Sequence, residues 1–241
     1  MIVAANLKTN LTRAKTAAYL ERLEACISEQ EFTQQVMVFP AMTALDTHKG
    51  AITVGAQNAY PAANGAYTGE IGLDQLDEFG IKTVLIGHSE RRHVLGEEQE
   101  LIVQKYDYFK SLGFTIVYCI GEPLEVREAG SEPLMRYLDA QLEGIDLNYE
   151  KLVIAYEPVW AIGTGVTPTL SDIELLHTAL KQKMHCPLLY GGSVKAENAR
   201  SIMELKGVDG VLVGSASLES ESFCSMIKDA QNIYRLQKGE K

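Results

Sequence analysis

Apolar residues along this chain fall into short unbroken runs, separated by longer stretches in which apolar and polar positions recur with a helical period. The runs are Ile2–Asn6, Val36–Phe39, Ile52–Ala56, Thr83–Ile86, Thr115–Cys119, Leu152–Ala155, Pro187–Tyr190 and Gly210–Val213. Most lack polar alternation, which predicts parallel strands covered on both faces. Helical patterns are clearest over Arg13–Gln30, Glu97–Leu112, Leu134–Glu143, Ser171–Met184, Ala196–Leu205 and Phe223–Leu236. In Ser171–Met184, for example, Ile173, Leu176, Leu180 and Met184 share one face. Eight strands alternating with helices predict a parallel α/β fold. Eight in 241 residues is the count of a closed barrel, which typically takes about 250 residues. A doubly wound open sheet is the structural rival. Its glycine fingerprint is missing from the first turn, which reads Asn6-Leu7-Lys8-Thr9-Asn10. No linker or low-complexity segment splits the chain, so one domain over residues 1–241 is expected.

Composition narrows the function classes. With 46% hydrophobic and 22% charged residues the chain can bury a sizeable core. A formal charge of −10 argues against a general nucleic-acid binder. It does not argue against a small anion held by converging amides and one lysine. The first ten residues carry only a four-residue apolar run, too short for a signal peptide or a membrane span. Cys26, Cys119, Cys186 and Cys224 are scattered without metal-ligand spacing. They read as free thiols in a reducing, cytoplasmic compartment.

In a barrel of this kind chemistry collects in the loops after the strands. Lys8 follows the first strand, where it can point a cation into the mouth or remain a solvated surface residue. His88 follows the fourth, and a helix beginning just beyond it would aim amides at the ring and keep it neutral; structural histidines are common too. His48, His93, His177 and His185 read as structural. Glu122, after the fifth strand, reads as a brace for a neighbouring loop. Glu157 closes the buried sixth strand, a poor place for a carboxylate without a task. The apolar loop beyond it runs through Pro158, Val159, Trp160, Ala161, Ile162, Gly163, Thr164, Gly165, Val166 and Thr167. It reads as a lid over a ligand or, alternatively, as an interface loop. Tyr190-Gly191-Gly192-Ser193-Val194 and Val213-Gly214-Ser215-Ala216 follow strands seven and eight, where barrel enzymes commonly hold phosphate. A carboxylate, an imidazole, an ammonium and a phosphate cradle suit proton abstraction beside a carbonyl on a small phosphorylated substrate.

These segments carry a resemblance. Asn6-x-Lys8, IGHSERR at Ile86–Arg92, CIGE at Cys119–Glu122, YEPVWAIGTG at Tyr156–Gly165, YGGSV at Tyr190–Val194 and GVLVGSASL at Gly210–Leu218 resemble the triosephosphate isomerase family, in family order and nearly end to end. The resemblance implies a (β/α)8 TIM barrel interconverting dihydroxyacetone phosphate and glyceraldehyde 3-phosphate, without metal or cofactor. It makes Glu157 the base and neutral His88 the proton shuttle between the substrate oxygens. Lys8 would stabilise the enediolate, with Asn6 placing Lys8 and substrate, and Glu90 would brace the Lys8–His88 region. Amides of Gly163, Ser193, Gly214 and Ser215 would hold the phosphate under the lid Pro158–Thr167. The long segment Asn58–Gly72 implies a homodimer with Thr68 near the partner's site; a local flap is the other reading. Nucleic acid and membrane are not expected partners.

The chain departs from the family pattern at Leu7 (commonly Trp), Ala41 (Pro), Val166 (Lys) and Ser215 (Gly), with Pro168 close to the end of the lid. Another phosphate-binding barrel enzyme and a non-catalytic scaffold are the rival readings. An aldolase would want a buried strand lysine for a Schiff base, and a scaffold would be free to lose Glu157, His88 or Lys8.

Overall fold

The computed structural model describes residues 1–29, 32–162 and 168–239. Its elements run β1 (Ile2–Asn6), α1 (Arg13–Ser28), β2 (Gln35–Phe39), β3 (Thr53–Val54), α2 (Leu73–Glu78), β4 (Thr83–Ile86), α3 (Ser89–His93), α4 (Gln99–Ser111) and β5 (Thr115–Ile120). The second half continues with α5 (Leu124–Glu128), α6 (Ser131–Leu142), β6 (Leu152–Tyr156), α7 (Leu170–Lys181), β7 (Leu188–Tyr190), α8 (Ala196–Met203), β8 (Gly210–Val213) and α9 (Ser220–Lys238). All strands pair in parallel, in the order β3-β2-β1-β8-β7-β6-β5-β4. An Ala56–Val84 bridge joins the two ends and closes the barrel.

The period-two geometry of the strands sorts their side chains into two cores. Ile2, Ala4, Met37, Phe39, Leu85, Val117, Cys119, Val153, Ala155, Leu189 and Leu212 fill the barrel interior. The intervening positions, such as Val3, Val38, Val84, Ile116, Ile154 and Val211, face the helices. The predicted face of Ile173, Leu176, Leu180 and Met184 is buried, with Met184 lying just beyond the end of α7. Every strand and helix predicted from the pattern is present, with ends shifted by a few residues. The predicted strand Ile52–Ala56 keeps only two regular residues. At Gly55 a Cβ would lie 2.4 Å from the Phe39 ring, so that ring takes the space a side chain would need. Helix α2 was not anticipated, being six residues long with only Leu76 buried. No helix among the described residues is long and apolar enough to cross a membrane.

The reading of four free thiols is corrected here. Cys26 on α1 and Cys224 on α9 form a disulfide across 198 residues, with their Cα atoms 6.4 Å apart, inside the usual bridging range. Closing the barrel makes the first and last helices neighbours, a proximity that spacing along the chain cannot reveal. Cys119 and Cys186 are free and buried.

His177 on α7 is fully buried beside Tyr156 and Tyr190, and its Nδ1 lies 3.2 Å from the carbonyl of Gly207. Burial is the main cause that pushes its imidazolium down to about 4. The unfolded chain therefore binds a proton below about pH 6.5 that the folded chain refuses until about pH 4. The neutral ring's contribution is complete above that window. It is lost as pH falls through it, by roughly 3 kcal/mol in total. In urea titrations from pH 7 to 4, His177→Gln should flatten the decline in unfolding free energy by about 1.4 kcal/mol per pH unit; an unchanged slope would assign the acid sensitivity elsewhere.

Candidate active site

The same strand periodicity that fills the barrel also builds its mouth. On β6, Val153 and Ala155 point inward, and Glu157 continues that series by one step. Its carboxylate is 2% exposed, its backbone N–H donates to Ile120, and Oε2 accepts from the Ser89 amide at 3.0 Å. On β5, β7 and β8 the corresponding inward steps are Gly121, Gly191 and Gly214. A Cβ at Gly121 would lie 1.8 Å from the Glu157 carbonyl oxygen, and one at Gly191 would lie 2.9 Å from Glu157 Cγ. Gly192 leaves room for the Tyr190 hydroxyl, 2.3 Å from its virtual Cβ. Gly191 keeps space for the Glu157 side chain and Gly121 for its backbone carbonyl; the sequence reading gave the loops after strands seven and eight to phosphate and gave Gly121 no role.

His88 needs a break in the period. On β4 Leu85 points inward, so two-residue alternation would send position 88 outward. Gly87 has a φ of +74°, the left-handed region that suits glycine, and redirects the chain. His88 then caps the start of α3, and its Nδ1 accepts the Glu90 N–H at 3.2 Å. The proton of the neutral ring therefore lies on Nε2, 3.0 Å from Glu157 Oε1. Burial lowers the ring's proton affinity, and the facing Glu157 carboxylate outweighs it and raises the affinity above the ordinary value. The Glu90 amide on Nδ1 opposes a second proton there and fixes the tautomer that carries its proton on Nε2. For Glu157, burial pushes the carboxyl up. His88, the Ser89 amide and Lys8 outweigh it and hold the group below the usual value of 4.5, as a carboxylate at neutral pH.

Lys8 has a φ of +51°, the only positive value at a described non-glycine residue, a conformation that often accompanies functional sites. It is fixed from both sides. Asn6 Oδ1 accepts its N–H at 3.0 Å, and Gln57 Nε2 donates to its carbonyl at 2.8 Å. Its ammonium pairs with Glu90. Together Asn6, Lys8, His88, Glu157, Ser193, Gly214 and Ser215 line one cavity of about 640 Å³. Lys195, Glu197 and Ser222 line it too, which the sequence reading missed because no motif marked them.

The entry to the lid is half-buried. Val159–Ala161 form a 3-10 turn, and Trp160 Nε1 donates to Glu122 Oε1, which also accepts from the Tyr156 hydroxyl, both at 3.0 Å. Glu122 thus braces the loop, as expected. The Ser193 hydroxyl donates to the Ala161 carbonyl at 2.6 Å, joining the lid's first turn to the cradle. Gly163, Thr164, Gly165, Val166 and Thr167 lie outside the described residues. Beyond β8 the cradle continues into a 3-10 turn at Ser215–Ser217, and α9 starts at Ser220.

Thr68 lies apart from this cavity, in the exposed stretch of residues 63–70 of the long loop. The base of that loop is anchored by Asn58, whose Oδ1 accepts from the buried Lys105 at 2.8 Å. Lys105 also pairs with buried Glu97 at 2.8 Å, and Glu97 pairs with Arg91 of α3.

A family model described as triosephosphate isomerase matches residues 1–230. The chain belongs to the triosephosphate isomerase family. A relative from Sulfurimonas denitrificans is 60% identical over 97% of each chain. One from Sulfurovum sp. is 61% identical over 94% of this chain and 99% of its own. Another, from Wolinella succinogenes, is 55% identical over 95% of this chain and 99% of its own. All three are named triosephosphate isomerase. The family members are enzymes, and the predicted barrel fold is theirs.

The contact at Gly191 gives a direct test of how closely the carboxylate is held. Gly191→Ala should push Glu157 off His88 and lower kcat at least tenfold, with a smaller change in KM. Steady-state kinetics that stay within twofold of the parent would mean that the site tolerates the shift.

Proposed function

We propose that this chain interconverts dihydroxyacetone phosphate and glyceraldehyde 3-phosphate by proton transfer through an enediolate, as a triose-phosphate isomerase of glycolysis and gluconeogenesis. The observation that carries the mechanism is the buried Glu157 carboxylate 3.0 Å from His88 Nε2, with Lys8 on the same cavity wall. Glu157 takes the proton from the carbon beside the carbonyl and returns it to the neighbouring carbon. His88, neutral, donates from Nε2 to a substrate oxygen and moves protons between the two oxygens. In the ligand-free site that Nε2–H faces Glu157, so substrate must part the pair and take over the donor. The ammonium of Lys8 stabilises the enediolate charge, with Asn6 and Glu90 as its positioning partners. The amides of Ser193, Gly214 and Ser215, together with Gly163, hold the phosphate. The lid Pro158–Thr167 covers the intermediate and keeps water away, which limits loss of phosphate from the enediolate. No step in this reading calls for a metal or cofactor, and the whole chain acts as one barrel domain in the cytoplasm.

We further propose a homodimer. Met42, Leu45 and Leu95 border a second cavity of about 180 Å³ that reaches Lys8, His88 and Glu90. Met42, Val94 and Leu95 are 52%, 76% and 66% exposed, an apolar surface that suits burial against a second copy. The partner's loop would enter there with Thr68 toward the site.

The reaction is tested in a coupled dehydrogenase assay with Glu157→Gln purified in parallel. The parent should turn over rapidly and the variant should lose about a thousandfold or more; equal rates in both, or none in either, would leave a barrel without this chemistry. For the assembly, Leu95→Arg should convert a dimer to a monomer in analytical ultracentrifugation, with activity falling at least tenfold. A parent protein that sediments as a monomer would remove the dimer from the mechanism.

A further inference from the structure

We propose that Cys26 and Cys224 form a thiol–disulfide exchange site for low-molecular-weight thiols, which locks or releases the seam between the first and last units of the barrel. Three links cross this seam in one register. The Tyr19 hydroxyl donates to the Ser217 carbonyl at 2.7 Å, Cys26 bonds Cys224, and the Thr33 N–H donates to Gln231 Oε1 at 3.2 Å. In each the partners are 198 residues apart, so the links follow one another at seven-residue steps along both sides. Tyr19 and Cys26 lie on α1 and Cys224 and Gln231 on α9, so within each helix the step is two turns, about 10.5 Å. The helices therefore descend the barrel side by side, and the disulfide is the central and only covalent link among the three.

The two sulfurs differ in access. Cys26 is buried at 8% exposure, whereas Cys224 is only partly buried. Exchange then has a defined order. The external thiolate attacks Sγ of Cys224, the Cys26–Cys224 bond breaks, and Cys26 leaves as a thiolate that takes a proton from water. A second external thiolate attacks the outer sulfur of the mixed disulfide and releases Cys224. Two external thiols are thereby oxidised to one external disulfide while the protein disulfide is reduced to two thiols. The reverse sequence, with the external disulfide as oxidant, restores the staple.

The Tyr19 and Thr33 links do not depend on the sulfurs, so the reduced barrel keeps its register and its site. What changes is resistance to unfolding. A bridge spanning most of the chain restricts the unfolded ensemble strongly and must break, or remain as a constraint, when α1 and α9 part.

The test equilibrates the intact protein with reduced or with oxidised glutathione. Under oxidising conditions the denatured protein should show two titratable thiols and a cross-linked Cys26–Cys224 peptide pair. Under reducing conditions it should show four thiols. The oxidised form should unfold in urea at least tenfold more slowly, with isomerase turnover within twofold of the reduced form. Cys224→Ser should unfold at the reduced protein's rate in both buffers, while Cys186→Ser should keep the difference. Four thiols after oxidation, equal unfolding rates for the two forms, or a redox response that survives in Cys224→Ser would each overturn the proposal. The two redox forms of the parent decide the matter even if a variant folds poorly.

Discussion

The structure depends on keeping one carboxylate charged where water cannot reach it. Glu157 is 2% exposed at the end of a strand whose other residues are apolar. An ion in such a place is strongly disfavoured unless fixed partners replace its hydration. Here the partners are the Nε2–H of His88, the Ser89 amide and, further off, the Lys8 ammonium. Each is held by a second contact: Glu90's amide on His88 Nδ1, the start of α3 behind Ser89, and Asn6 and Gln57 on the Lys8 backbone. The charge is stabilised because the geometry is assembled in advance, the condition under which a base can act without first reorganising its surroundings.

The mouth of the barrel follows from an ordinary property of strands. Inward side chains recur every second residue and fill the interior with Leu, Val, Ala and Phe up to a definite layer. One step beyond that layer, β5, β7 and β8 present Gly121, Gly191 and Gly214, while β6 presents Glu157. The cavity is thus made by missing side chains in a packed layer, with one carboxylate left in it. Gly87 serves differently, turning the backbone so that His88 joins the same layer despite its outward parity.

The closure of the sheet is uneven around its circumference. Between β3 and β4 it rests on the Ala56–Val84 bridge, and the base of the long loop next to it is tied by the Asn58, Lys105, Glu97 and Arg91 cluster. Between β1 and β8 a full ladder is backed by the Tyr19, Cys26 and Thr33 links. The seam joining the chain's beginning to its end is therefore the more firmly fastened of the two.

The sequence by itself determined the eight strands, the long helices and the loops in which the polar residues would meet, because strand parity and helical period are local properties. It pointed to Glu157, since a carboxylate at the end of an apolar run stands out, and to Glu122 as a brace. It was blind to Lys195, Glu197 and Ser222, which ordinary loop and helix positions bring to the cavity, and to the short helix α2. It misread Cys26 and Cys224 as separate thiols. Only the tertiary structure decided that pairing, the room that Gly121 and Gly191 leave for the backbone and side chain of Glu157, and which nitrogen of His88 faces Glu157. The reason is common to all three. Each depends on distances between segments far apart in the chain, and those distances exist only once the sheet has curled and closed.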